Sequence, residues 1–344
     1  MKISEYGYRI ETGMPGRRDS ITDVPGVRVG HATIHRGRCH TGVTAVLPCE
    51  GFAYLEKPAA AVYVENGFGK TIGTIQLEEL GCLETPILLT NTLNVGKAAD
   101  ALVEYTLAEG KKRGLEIRTV NPVVGETNDS RINDIARRAV GRKEVLAAIA
   151  SASEDFEQGA VGAGTGTVCF GLKGGIGSAS RIYDFAGRSH VLGVLVQSNF
   201  GRLEDLQILG DPIGRRIQKE LQEQPRPDQG SIMVVAATDI PLTCRQLRRV
   251  LKRAAVGLAR TGSYFGHGSG DVFLGFCTAN RMKTEGSKML PLSCLPEERL
   301  EDVFRLMAEA VEEAVLNSLT EAQPAQFLDG RTCHSLAEFL GRCR

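Results

Sequence analysis

The chain has 344 residues, 42% hydrophobic and 24% charged, and its 41 basic and 41 acidic side chains cancel. That composition describes a globular protein, and zero net charge offers no electrostatic footprint for nucleic acid or an anionic membrane. No apolar run approaches the ~20 residues of a membrane span, and Met1-Lys2-Ile3-Ser4-Glu5-Tyr6 lacks the apolar stretch of a secretory leader, so a cytoplasmic protein is expected.

The first third of the chain reads as strands and turns. Val24-Pro25-Gly26 marks a turn, and an alternating run follows it to His31. Gly42 to Pro48, Ala59 to Val64 and Pro86 to Thr90 have the composition of further strands. A helix is expected from an Asn94 cap, with Ala98, Leu102, Tyr105 and Thr106 on one face until Gly110. Arg131 to Val140 and Arg142 to Ser151 read as shorter helices. A glycine-dense segment over 159–177 then leads into a strand, Val191 to Gln197, and Gly214 to Gln224 reads as a short helix or irregular tail. Gln224-Pro225-Arg226-Pro227-Asp228-Gln229 is a polar, proline-rich linker, and Ser231 to Thr238 is a buried strand. Thr243 caps a helix whose Leu247, Val250, Leu251, Ala254 and Leu258 recur at helical spacing, with Gly262 as its stop. Val272 to Thr278 is another apolar strand, and Leu300 to Leu319 a long amphipathic helix. Strands and helices come in blocks, which predicts an α+β fold: mixed sheets covered by helices in a layered αββα sandwich, over 1–344 as a single domain.

The linker ends at Gly230-Ser231, where a hydroxyl residue opens a core strand. One reading is an ordinary loop-to-strand junction. The other is a cleavage site, because a chain cut there would give Ser231 a free α-amine beside its hydroxyl, a nucleophile with its own base. Asn199 follows a buried strand and carries an amide donor suited to an oxyanion, or it is a turn residue before Gly201. Ser269 and Asp271 sit two apart just before a strand, so an extended backbone would put hydroxyl and carboxylate on one side. Glu126 to Asp134 gathers acidic and amide groups that either start a capped helix or line a pocket for an ammonium group. The glycines of 159–177 read as turns or a wall close to a ligand, with phosphate binding the less supported alternative because no Gly-Lys-Ser/Thr follows. His31, His35 and His40 meet no ligand spacing, and the nine cysteines form no Cys-x-x-Cys pair, so free thiols and no metal site are expected.

Taken together, these segments resemble the DmpA/BapA family, self-processing N-terminal-serine aminopeptidases of the L-aminopeptidase/D-esterase type. The resemblance rests on Ile21 to Val27 with Val29-Gly30-His31, Thr85 to Gly96, Pro122 to Thr127, Gly162 to Arg181, Gly230-Ser231-Ile232 and Gly268 to Asp271, in the family's order. It implies self-cleavage into an α chain, 1–230, and a β chain, 231–344, and a homo-oligomer of αβ units without metal or organic cofactor. It implies Ser231 as nucleophile, its freed amine as base, Asn199 as an oxyanion donor, and Ser269 and Asp271 as holders of the amine. Glu126, Arg131 and Asn133 are the expected substrate contacts. The substrates it implies are short peptides or aminoacyl amides and esters, with no nucleic-acid or membrane partner. Two departures stand out. The family's last acidic position is often glutamate, and Asp271 is one methylene shorter. Its tyrosine after the Glu-Thr segment has no counterpart in Ser130-Arg131-Ile132-Asn133. An acyltransferase or a non-catalytic metabolite-binding relative are the alternative readings.

Overall fold

The computed structural model describes residues 1–10, 13–224, 230–283 and 289–341; the linker residues 225–229 and Cys343 lie outside them. The strands are β1 (Arg28–Arg36), β2 (Cys39–Leu47), β3 (Glu56–Gly67), β4 (Ile87–Asn91), β5 (Val123–Thr127), the short pair β6 (Val168–Cys169) and β7 (Leu172–Lys173), β8 (Ile176–Phe185), β9 (Arg188–Asn199), β10 (Ser231–Thr238) and β11 (Gly270–Lys283). The helices that cover them are α1 (Thr74–Leu80), α2 (Val95–Lys112), α3 (Arg142–Ala150), α4 (Ile213–Leu221), α5 (Cys244–Leu251), α6 (Ala254–Arg260) and α7 (Leu300–Thr320). One sheet runs β1-β2-β4-β5 and the other β3-β11-β10-β9-β8, both with mixed strand directions.

Residue alternation decides what each strand faces. In β4, Leu88 packs against Ala98 and Leu102 of α2, while Ile87 and Leu89 point to the other sheet. In β10, Ile232, Val234 and Ala236 meet Leu247, Leu258 and Val311 of the helices, while Met233, Val235 and Ala237 fill the space between the sheets. The central strands are therefore apolar on both sides, and each fully buried Val, Leu or Ile contributes about 1.5–3 kcal/mol. The result is the expected αββα sandwich.

Several local expectations shift. Asn94 is the N-cap residue of α2 as expected, but its side chain makes no capping bond; the side-chain cap belongs to the preceding 3-10 turn, where Asn91 Oδ1 accepts the Asn94 N–H at 3.2 Å. The single helix expected after Thr243 breaks into α5 and α6. Arg253 N–H reaches Val250 O at 2.9 Å, the tighter i−3 pattern of a kink, although Thr243 does cap as expected. Arg131 to Val140 is not a helix, and only Ile135–Arg137 forms a 3-10 turn. Its backbone donors go elsewhere: Asp134 N–H bonds to Arg38 O in the β1–β2 hairpin. Nor does Glu126 start a helix, because it lies in β5. β8, unforeseen in the sequence, emerges from the glycine-dense segment. No helix among the described residues is long and apolar enough to cross a membrane.

Candidate active site

Ser231 opens β10. By alternation it lies on the side of Met233 and Val235, facing the other sheet. In the antiparallel β9–β10 ladder its direct partner is Asn199, the last residue of β9. In the parallel β10–β11 ladder Ile232 pairs with Asp271, which sets Gly270 beside Ser231. The Gly270 N–H donates to Ser231 Oγ at 3.1 Å, and Ser269 Oγ donates to Asp271 Oδ1 at 2.6 Å. All four of Ser231, Asn199, Ser269 and Asp271 are buried. Residues distant in sequence thus converge on one strand end, and Ser269 and Asp271 lie on one side, as their spacing predicts.

Asn199 is held in a definite orientation. Its Oδ1 accepts the Val168 N–H at 2.9 Å, which leaves the Nδ2 donors for another partner. Val168 belongs to a loop wrapped around Lys173. The Lys173 Nζ is fully buried and donates to the carbonyls of Gly164 at 2.9 Å, Thr167 at 3.0 Å and Gly174 at 2.6 Å. Burial pushes the Lys173 ammonium down to about 8. Sequence patterning gave no reason to single out this lysine, and its surroundings of glycines were the only trace of the cage.

Gly230 is required by its surroundings. A Cβ there would overlap the carbonyl oxygen of Asn199 and the Cα of Phe200. The freedom that matters is close approach to a neighbouring backbone. Gly270 is confined similarly, since a Cβ there would lie 2.7 Å from Phe68 O.

The expected substrate contacts divide. Glu126 is buried near the cluster: its Oε1 accepts the Lys70 N–H at 2.9 Å and its Oε2 accepts from Thr92 Oγ1. Only Gly69 separates it from β11. A Cβ on Gly69 would lie 3.7 Å from Glu126 Oε1 and 3.8 Å from Gly270 Cα. Arg131 is exposed, with its guanidinium 4.7 Å above the Phe327 ring. Asn133 is buried, but its amide donates to Asp129 Oδ1 at 2.9 Å and accepts the His40 N–H at 3.1 Å, so it braces a turn. Asp129 also accepts from Thr41 Oγ1 at 2.6 Å and Asn91 Nδ2 at 3.2 Å, and burial raises its carboxyl to about 6.

His31 serves structure. His31 Nδ1 lies 2.9 Å from Thr44 Oγ1 and Nε2 lies 3.0 Å from Glu157 O, and burial lowers the ring to about 4. Among the described residues no group of three or more His, Cys, Asp or Glu side chains is placed to hold a metal. A cavity of about 920 Å³ lined by His35, His40, Phe156, Thr165, Lys173 and Glu321 contains none of the four clustered residues.

Comparison with known proteins adds a family to this geometry. The model of peptidase family S58 matches residues 19–333. Beta-peptidyl aminopeptidase BapA of Sphingosinicella microcystinivorans is 38% identical, over 94% of this chain and 87% of that protein. The crystal structure of the PH0078 protein from Pyrococcus horikoshii OT3 superimposes with a TM-score of 0.93 at 49% identity, covering 99% of this chain and 98% of the other. The L-aminopeptidase D-Ala-esterase/amidase of Ochrobactrum anthropi, described as a variant of the Ntn hydrolase fold, gives 0.91 at 33% identity over 99% and 97%.

Proposed function

From the premise that this chain belongs to peptidase family S58 and is an N-terminal-nucleophile aminopeptidase, we propose that Ser231 is its nucleophile, exposed by self-cleavage after Gly230. The observation that carries the proposal is the Ser231–Asn199 cross-strand pair, reached through a residue position that only glycine can occupy. Cleavage yields an α chain of 1–230 and a β chain of 231–344. In that step Ser231 Oγ attacks the Gly230 carbonyl, the C–N bond to Ser231 breaks, and water hydrolyses the resulting ester. The freed α-amine, with an ordinary pKa of about 7.7–8.0, is then positioned to act as general base near neutral pH.

In turnover the amine takes the proton of Ser231 Oγ as Oγ attacks the substrate carbonyl. The Asn199 Nδ2 group faces the developing oxyanion, since its Oδ1 is occupied by Val168. The amine returns its proton to the leaving amine or alcohol, and water resolves the acyl-enzyme. Ser269 and Asp271, already hydrogen-bonded to each other, hold the α-amine. Glu126 is the acceptor for the substrate's own ammonium group. Its carboxylate is buried and fixed by Lys70 and Thr92, so a cation there is paired without a cost in ordering the side chain. Arg131 and Asn133 stand outside this scheme in the single chain.

The substrates are short peptides or aminoacyl amides and esters with a free amino group. The relatives' names, a beta-peptidyl aminopeptidase and an L-aminopeptidase D-Ala-esterase/amidase, support that class. The working form is a homo-oligomer of αβ units in the cytoplasm. Hydrolysis of a panel of L-, D- and β-aminoacyl p-nitroanilides by the wild type and by Ser231→Ala tests the reading. Release of nitroaniline by the wild type alone is expected. Equal release by both proteins, or none by the wild type, contradicts it.

A further inference from the structure

We infer that Asn66 is a positioning residue for Ser231, Ser269 and Asp271, acting through three backbone carbonyls from the other side of the cleavage point. This inference rests on the proposed function of the Ser231 cluster. Asn66 lies near the end of β3, opposite Asp271 in the β3–β11 ladder. The register shifts there: Asp271 pairs with Asn66, but Val272 pairs with Val64, so Glu65 is an extra residue in β3. Such a bulge re-aims the side chain beside it. The Asn66 Nδ2 donates to Gly266 O at 3.1 Å, to His267 O at 3.3 Å and to Ser269 O at a shorter distance. The amide admits one orientation only, because exchanging its nitrogen and oxygen would press Oδ1 against three carbonyl oxygens.

The segment that Asn66 holds is also tied by the Ser269 N–H to Gly266 O at 2.9 Å and by Phe265 packed against the core, but its backbone is unusual. It runs from Gly262, at φ +109°, through Phe265, a non-glycine residue at φ +55°, to Ser269. A bulky residue in the left-handed region is strained, and it persists where neighbouring contacts over-determine it. Asn66 supplies contacts at three of the last four residues before β11. The consequence reaches the site directly. Ser269 O is bonded to Asn66, Ser269 Oγ to Asp271, and the next N–H, on Gly270, to Ser231 Oγ. A shift of the 266–269 carbonyls therefore moves the group that holds the nucleophile and the pair assigned to its amine. Asn66 itself bonds to neither Ser231 Oγ nor the Asp271 carboxylate. It belongs to the proposed α chain and the held segment to the β chain, so this clamp spans the two fragments after cleavage.

The discriminating variant is Asn66→Asp, which keeps the shape and removes the donors. Asn66→Ala serves as the volume-losing companion. Both are measured beside the wild type and Ser231→Ala, whose comparison decides the nucleophile reading independently. The expected result is a fall in kcat of about 10–100-fold, the scale of a misplaced reacting group, with KM changed less than about twofold. The pKa of the acidic limb of kcat/KM, where the amine must lose its proton to act as base, shifts as the amine loses its placement. Asn66→Asp falls at least as far as Asn66→Ala, because its carboxylate faces three carbonyl oxygens. Asn66→Asp that retains the wild-type kcat and pH profile overturns the inference. So does a loss of activity that follows only a lowered unfolding midpoint, with the pH profile of the remaining folded enzyme unchanged.

Discussion

Two loops flank the end of β10, and each is fixed by a nitrogen set among three carbonyl oxygens. On one side the ammonium of Lys173 gathers Gly164, Thr167 and Gly174; on the other the amide of Asn66 gathers Gly266, His267 and Ser269. The chemistry of the two supports differs. Lys173 is fully buried and titratable, and its ammonium is pushed down to about 8 because no water solvates it. Asn66 is half-buried and carries no charge. The first loop fixes Asn199, the proposed oxyanion donor, through Val168, and the second carries Ser269, bonded to Asp271. A buried cation gives strong directional anchoring with a dependence on pH, and an amide gives weaker anchoring without one.

The largest expected effect falls on Asn199, the proposed oxyanion donor on the Lys173 side. Asn199→Ala is expected to lower kcat by about 10²–10³ with little change in KM, as for loss of one oxyanion donor. Steady-state kinetics on an aminoacyl anilide check this, and a loss confined to KM would assign Asn199 to ground-state binding. Removing the cage itself comes next. Lys173→Met removes the ammonium from three buried carbonyls; Gly164 O keeps Thr167 Oγ1 and Thr167 O keeps the Gly174 N–H, so the cost of about 1–3 kcal/mol for a lost partner falls mainly on Gly174 O, offset in part by the removed cost of burying the charge. Urea unfolding should show a lower midpoint with unchanged m. An unchanged midpoint would mean that the loop holds its shape without the cation.

Titration sharpens the contrast. The folded Lys173 binds its proton less tightly than the unfolded lysine, about 8 against 10.5. Between those values the unfolded chain carries more protons, so this group makes the fold more stable as pH rises, by at most about 1.36 kcal/mol per pH unit. The stability difference between wild type and Lys173→Met should therefore grow through that window, while the difference between wild type and Asn66→Ala stays flat. Parallel curves for the two variants would remove the distinction. The last expected effect lies in β1, in the other sheet. His31 is lowered to about 4, so it stays neutral in the fold and protonates first in the unfolded chain. Its contribution is present above pH 6.5 and is lost as pH falls toward about 4. His31→Gln should flatten that part of the acid unfolding curve.

The legible part of this molecule is the part governed by local pattern. The strand 231–238, the Thr243 cap and the long helix near the C-terminus follow from alternation and helical spacing, and the structure places them as expected. Ser231, Asn199, Ser269 and Asp271 are noticeable because each borders a buried strand, but ordinary turn and junction readings compete with them, and their proposed roles come with the family resemblance. The turn after Glu126 misled because its polar residues look like helix caps, whereas Asp129 and Asn133 spend their side chains on Thr41, Asn91 and His40. Asn66 and Lys173 carried no local signal. The partners of Asn66 lie 200 or more residues away, and those of Lys173 are backbone carbonyls, which no residue type announces. The register shift at Glu65, a property of strand pairing, aims one of them.

On the proposed reading, the single bond Gly230–Ser231 separates an inert precursor from an enzyme. Intact-mass spectrometry of freshly purified wild type beside Ser231→Ala tests it most directly. Two fragments that meet at Gly230 and Ser231 in the wild type, and one unbroken chain in the variant, are expected. A single full-length mass in a wild-type protein that hydrolyses aminoacyl anilides would contradict it.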